Sequence, residues 1–213
     1  MVKPDALHAL SIHTYHHAGE WLRAHFDEVA PQVAAQQARD AAAGIVAAPA
    51  RGDEVEAAVR GVLEALRYDR DNPLTRAIRA ALWSERASTV EFFDDVARSC
   101  VRWAKAGARV VTFSSLPMAA QQALVRHGRG APAVESFAAW FDATLGERDA
   151  VESYRAIAAA MATTPEKTKV AVDNVDHGHA AANAGCQVLM VERMGVMGTP
   201  WHGFRTEATV HAL

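Results

Sequence analysis

The sequence is short of several things, and each shortage removes a class of protein. Among 213 residues there are two cysteines, Cys100 and Cys186. That is too few for a disulfide framework, so both read as reduced thiols packed as small hydrophobes in a protein of the cytoplasm. No long apolar run stands behind the N-terminal Met-Val-Lys-Pro-Asp-Ala, so neither a signal peptide nor a membrane anchor is expected. Basic residues are not in excess: the net charge is −3 with ten histidines counted neutral, which leaves no electrostatic footprint for nucleic acid. No internal repeat is visible. What is present is ordinary for a globular chain, half hydrophobic and 22% charged, enough to bury a substantial core in one domain or one domain carrying a subdomain.

The most informative stretch is Val170 to His179, an apolar run that stops in Asp173, Asp176, His177 and His179. Such a run reads as a buried strand delivering polar groups to the rim of a sheet. Ala180 to Ala184, closed by Gly185, reads as a short helix. In open α/β sheets ligands bind beyond the carboxyl ends of the strands, so chemistry is expected here.

Taken in order, Leu7 to Ile12 is apolar enough for a short strand ending in His13-Thr14-Tyr15-His16-His17. Helical patterns follow. Trp21, Leu22, His25 and Phe26 share one face, residues 32–48 are rich in Ala and Gln but thinly anchored, and Gly52-Asp53 makes a cap before Val55, Val59, Val62, Leu63 and Leu66. A further helix runs from Leu74 to Trp83 after Asn72-Pro73. Beyond residue 90, helices and strands alternate. Helices are expected over Val90–Lys105, Pro117–Arg126 and Ser153–Met161, and strands over Arg109–Phe113, near Trp140-Phe141, over Lys169–Val172 and over Val188–Val191. Strands separated by helices mean βαβ units and a parallel sheet. The fold class expected is a doubly wound α/β, Rossmann-like core over residues 1–17 and 91–213, with a helical cap over residues 18–90 inserted after the first strand.

Several pieces, in order, carry a family resemblance. They are Asp69-Arg70-Asp71-Asn72-Pro73-Leu74 with Leu82-Trp83-Ser84-Glu85; Val111-Thr112-Phe113-Ser114-Ser115 with Ala120-Gln121; Phe141-Asp142-Ala143-Thr144-Leu145-Gly146 with Glu152-Ser153-Tyr154; and Asp173 with Ala180-Ala181 and Ala184-Gly185. Over roughly residues 65–193 the chain resembles the haloacid dehalogenase (HAD) superfamily, and within it the enolase-phosphatases, or acireductone synthases, of methionine salvage. The resemblance implies a HAD-like hydrolase fold, Asp173 as a metal-ligand position, and an anion held by Ser114 and Ser115.

The departures matter as much. The family's opening strand ends in Asp-Ile-Glu-Gly-Thr, whose first aspartate is metal ligand and nucleophile, and no such motif occurs here. His13 aligns with its neighbourhood. The family's lysine falls at Glu147-Arg148, where Arg148 binds an anion bidentately but is no equivalent of lysine. Without the carboxylate the covalent phosphoryl route fails. The remaining set, Asp173, His13, His16, His17, His177 and His179, suits Fe, Mn or Zn better than Mg, because imidazole favours transition metals. The expectation is a small-molecule enzyme on a HAD scaffold that acts on a small polar keto, enol or carboxylate substrate, with His13, Ser114, Arg148 and His177 as catalytic groups. Two alternatives stay open: an acireductone synthase-like phosphatase, and an inactive homologue that binds a partner. Blander readings stand beside these. His16 and His17 are solvated first-turn residues, His177 and His179 a polar loop, His25 a core histidine, and His127, His202 and His211 loop or terminal residues.

Overall fold

The computed structural model describes residues 4–45, 54–68, 72–193 and 204–212. Gly52-Asp53, Asp69 to Asp71 and His202 lie outside the described residues. The chain divides into two compact units. One holds Val2–Glu91 with Gln122–Arg129, the other Phe92–Gln121 with Gly130–Leu213.

The first unit is helical, with α1 (Pro4–Ala24), α2 (Phe26–Ala42), α3 (Glu54–Arg67) and α4 (Pro73–Glu85). The strand expected over Leu7 to Ile12 is instead the first half of α1, and His13, His16 and His17 are therefore helical. The reason is visible in the burial: Leu10, Thr14, Ala18 and Leu22 are buried at a spacing of four, whereas Ile12 is exposed. In a strand Ile12 would share the face of Leu10 and Thr14, so its exposure between them marks a helix face. Ala18 and Leu22 join Val29, Val33, Val59, Val62, Leu74, Ile78 and Leu82 in a single core. At Gly19 a Cβ would lie 3.2 Å from Val59 Cγ1, so the glycine sets how near α1 comes to α3. Inside this core the Trp83 indole N–H donates to Thr14 Oγ1 (2.9 Å), whose hydroxyl donates to the Leu10 carbonyl (2.9 Å). Trp83 Nε1 and Thr14 Oγ1 are thus both partnered where they are buried. A capping box starts α4, with Thr75 N–H donating to Asn72 Oδ1 (2.9 Å) and Asn72 N–H to Thr75 Oγ1 (3.1 Å), and Pro73 in the first turn. As the composition implied, α2 is lightly anchored, with Val29 and Val33 as its buried residues.

The second unit alternates helix and strand: α5 (Asp94–Lys105), β1 (Val110–Phe113), α6 (Met118–His127, whose later turns group with the helical unit), β2 (Phe137–Phe141), α7 (Val151–Ala160), β3 (Lys169–Val172), α8 (Val175–Ala184), β4 (Gln187–Val191) and β5 (Arg205–Glu207). Every strand pairing is parallel: β1 with β2, β3 with β4, and β4 with β5. The architecture is the α/β, Rossmann-like one expected. β5 was not legible in the sequence, because Arg-Thr-Glu has neither an apolar run nor an alternation of its own. α5 begins at Asp94 rather than Val90, and α8 at Val175 rather than Ala180, since Asn174 caps it; Gly185 closes it in the left-handed region at φ 103. A buried ion pair fastens the end of the unit. Arg193 Nη1 lies 2.9 Å from Asp95 Oδ1, and Val210 N–H donates to Asp95 Oδ2 (2.8 Å). Among the described residues, no helix is long and apolar enough to cross a membrane.

Candidate functional site

The carboxyl end of β3 leads straight into the first turn of α8. Asn174 accepts hydrogen bonds on its side-chain oxygen from Asp176 N–H (2.9 Å) and His177 N–H (3.2 Å), which fixes the helix start and places His177 in its first turn. The His177 ring is half-buried, and its Nδ1 is buried without a hydrogen-bond partner. Burial, and then the Arg148 guanidinium, lower its pKa, while Asp173, Asp149 and Asp176 act in the opposite direction. The imidazole is therefore neutral near pH 7, and one arginine and three carboxylates lie within electrostatic reach of it. His179 is two positions further along the same helix and so on the opposite face. It is exposed, its ring centroid 5.0 Å from that of Phe204. The two histidines that sequence spacing grouped are separated by the helix that carries them. Asp173 is exposed beyond Val172.

Arg148 is held from its backbone. Gly146 adopts φ 149, and a Cβ there would lie 2.5 Å from Ser153 Oγ, so glycine is required for the turn to close. The Ser153 hydroxyl donates to the Glu147 carbonyl (2.7 Å) and the Tyr154 hydroxyl to the Arg148 carbonyl (2.8 Å). Burial pushes the Tyr154 phenol up to about 12, which keeps it a donor. The Tyr154 ring also meets Phe113 edge-on at 5.8 Å, so one residue joins the end of β1 to the Arg148 turn. At that end, Ser114 N–H donates to the Phe141 carbonyl (3.2 Å) and Ser114 Oγ accepts from Leu116 N–H (3.1 Å), while Ser115 is exposed. Gln121 clamps the same corner. Its amide donates to the carbonyls of Leu116 (2.8 Å) and Phe141 (2.9 Å), and its Oε1 accepts from Thr112 Oγ1 (2.6 Å). Buried Asp142 accepts from Met118 N–H (3.1 Å) and Thr144 N–H (3.0 Å). Gln121, Asp142, Ser153 and Tyr154 carried no role in the sequence reading. Their signal was there, in the strings Ala120-Gln121, Phe141-Asp142 and Glu152-Ser153-Tyr154.

The N-terminal histidines belong to the helical unit. His13 and His17 are one turn apart on α1, with ring centroids at 4.3 Å, and His13 Nε2 is buried without a partner. Burial, then His17 and Arg86, lower the His13 pKa. His16 is exposed, and His17 Nδ1 lies 3.4 Å from Glu20 Oε2. His13, His16 and His17 thus fall in one unit and Asp173, His177 and His179 in the other. Among the described residues, no three His, Cys, Asp or Glu side chains are gathered so as to hold a metal ion. Two further histidines have structural roles: His25 stacks on Trp21 at 4.5 Å, and His211 Nδ1 shares a hydrogen bond with Ser99 Oγ at 2.7 Å.

No family model matches the chain. It is similar to the enolase-phosphatase E1 of Xanthobacter autotrophicus, 30% identical over 183 residues that cover 84% of this chain and 78% of the relative. It is also similar to that of Podospora anserina, 35% identical over 129 residues, 56% of this chain and 55% of the relative. With the enolase-phosphatase E1 of Aedes aegypti it is 25% identical over 193 residues, 84% of this chain but 17% of the relative. The chain therefore spans about half the length of the Podospora relative and a small part of the Aedes one. Among solved structures it resembles the UTR4 protein of Saccharomyces cerevisiae, with a TM-score of 0.59 and 20% identity over 92% of each chain. It resembles CbbY from Rhodobacter sphaeroides in complex with phosphate, at 0.57 and 17% over 70% of this chain and 72% of that one. The L-2-haloacid dehalogenase RSc1362 gives 0.56 and 13% over 96% and 87%. At these identities the likeness is one of fold.

Proposed function

The chain belongs to the enolase-phosphatase E1 family, within the HAD superfamily, and from that premise we propose that it is an enzyme acting on a small, anionic, enolisable keto or carboxylate substrate. The site is the rim formed by the ends of β1 and β3, with Ser114, Arg148, Asp173 and His177. The observation that carries this reading is His177, a half-buried imidazole with Nδ1 unpartnered, kept neutral beside Arg148. A neutral imidazole removes a proton from the carbon next to a carbonyl. The electron pair moves to the carbonyl oxygen, Arg148 stabilises the charge formed there, and the imidazolium returns the proton. Ser114 and Ser115 hold the substrate's other oxygens. Asp173 favours the imidazolium formed midway.

A divalent cation is what the family resemblance implies, and the donor set gives a test of fit. Asp173 and His177 supply two donors in this unit, but no third is gathered with them among the described residues. These residues do not fit a complete metal site, and no step is routed through one. A second reading, hydrolysis of a phosphate ester, draws on the names of the relatives and on the phosphate bound to CbbY. The two separate in one assay: solvent-deuterium uptake by an enolisable 2-keto acid supports the first, and release of phosphate from a phosphomonoester in place of that uptake supports the second.

A further inference from the structure

Two histidines of the helical unit take no part in the chemistry proposed for the rim. His13 and His17 stand four residues apart on α1, the spacing that puts two side chains one above the other on a helix face. Their rings are in contact, with centroids 4.3 Å apart and planes tilted by 44°. This is also the spacing by which a single helix offers two imidazoles to one metal ion. His13 Nε2 is buried and has no hydrogen-bond partner, and a buried polar atom left so calls for one. His17 Nδ1 lies 3.4 Å from Glu20 Oε2, so with its proton on Nδ1 the lone pair is on Nε2. A carboxylate behind an imidazole is the arrangement that sets the tautomer and orientation of a metal-binding histidine and raises its basicity. The backbone that carries the pair is fixed. Leu10, Thr14, Ala18 and Leu22, on the adjoining face of α1, are buried, and Thr14 Oγ1 accepts from Trp83 Nε1 at 2.9 Å. The exposed His17 ring is free to turn on this rigid support.

We propose that His13 and His17 form a binding site for one late first-row transition-metal ion, held by the two imidazoles with Glu20 behind His17. Two metal–nitrogen bonds of about 2.0–2.1 Å bring their nitrogens about 3 Å apart. Rings whose centroids already stand 4.3 Å apart reach that separation by side-chain rotation. Imidazole sets the choice of ion: Cu²⁺ ahead of Ni²⁺ and Zn²⁺, Mn²⁺ weak, and Mg²⁺ not held, because it demands oxygen ligands. Among the described residues no third His, Cys, Asp or Glu is gathered with the pair. Water or an added ligand fills the remaining positions, and the ion exchanges with solution. Of the charged side chains that act on His13, Arg86 and Glu85 do so in opposite senses, which leaves the Glu20 carboxylate to favour a cation. The bound ion ties one turn of α1 together, and because the unfolded chain does not hold the two rings side by side, binding favours the folded state.

The test titrates the untagged full chain with Cu²⁺, Zn²⁺ and Mg²⁺ by calorimetry and records the electron paramagnetic resonance of the Cu²⁺ form. Expected are binding of Cu²⁺ with nitrogen hyperfine structure from two imidazoles, weaker binding of Zn²⁺, none of Mg²⁺, and a melting temperature raised by Zn²⁺. His13→Asn and His17→Asn should each weaken Cu²⁺ binding by about tenfold or more, and Glu20→Gln by about tenfold. His8→Asn, at an exposed position more than a turn away on α1, should bind as the unaltered chain does. Because His17 is exposed, its substitution leaves the core intact and keeps the test readable should His13→Asn fail to fold. The proposal is overturned if neither Cu²⁺ nor Zn²⁺ binds, if His17→Asn binds with unchanged affinity, or if His8→Asn or His177→Gln weakens binding as much as His17→Asn does. None of these readouts depends on turnover, so failure here is distinguishable from failure of the enzymatic reading.

Discussion

At the scale of single residues, the account rests on neutral, half-buried imidazole and on backbone-held arginine. His177→Gln should lower turnover of an enolisable substrate by about 10²–10⁴-fold, the usual contribution of a positioned general base, with KM little changed. Because burial and Arg148 depress its pKa, His177 stays unprotonated down to a pH below the ordinary histidine value, and the acid limb of kcat/KM should fall below about pH 6.5. Arg148→Lys keeps the charge but loses the planar fork, and should cost about tenfold to a hundredfold in kcat/KM, since a hydrogen bond to a charged group is worth about 1.5–3 kcal/mol. Away from the site, Asp95 makes a stability prediction. Burial alone would raise its pKa, but the Arg193 ion pair and the Val210 amide outweigh burial and hold it below the ordinary carboxylate value. A depressed folded-state pKa gives stability that is present above the unfolded value, about 4, and lost as pH falls through the folded one. Asp95→Ala should remove about 3–5 kcal/mol, read from urea unfolding at pH 7, because it takes one side out of a buried ion pair and the acceptor from the Val210 amide.

At the scale of elements, α8 makes the clearest test. Gly178 faces Met190 Sδ at 3.1 Å and Phe204 Cε2 at 3.2 Å from the position of an added Cβ. Gly178→Val should therefore destabilise by about 1–3 kcal/mol through overpacking, despite the better helix propensity, and the midpoint of chemical unfolding checks it. The elements also show what the sequence could and could not disclose. β1, β3 and β4 were legible because Val110-Val111-Thr112-Phe113, Lys169 to Val172 and Val188 to Val191 are β-branched runs between turn residues, and α8's end was legible from Gly185. The α1 error came from reading Leu7 to Ile12 through a window too short to separate periods of two and four. Continued to Thr14, Ala18 and Leu22, the same residues mark a helix face. The grouping of His177 with His179 failed for a related reason, since a cap at Asn174 turns a nominal loop into helix and sends neighbouring histidines to opposite faces. Arg148's support was legible only as a string of letters: that Tyr154 would tie Phe113 to the Arg148 carbonyl needs coordinates in three dimensions.

At the scale of the whole molecule, a helical unit and an α/β unit each bury a core of their own, and the chemistry proposed is placed in the second. The fold is that of HAD proteins, while the proton transfer proposed for it draws on Asp173, Arg148 and His177. The most direct measurement is NMR detection of deuterium uptake from D₂O at the carbon next to the carbonyl of a small 2-keto acid, comparing the protein with its His177→Gln variant. The account predicts uptake that the variant loses by about 10²-fold or more. Equal uptake by both proteins, or none by either alongside hydrolysis of a phosphomonoester, would contradict it.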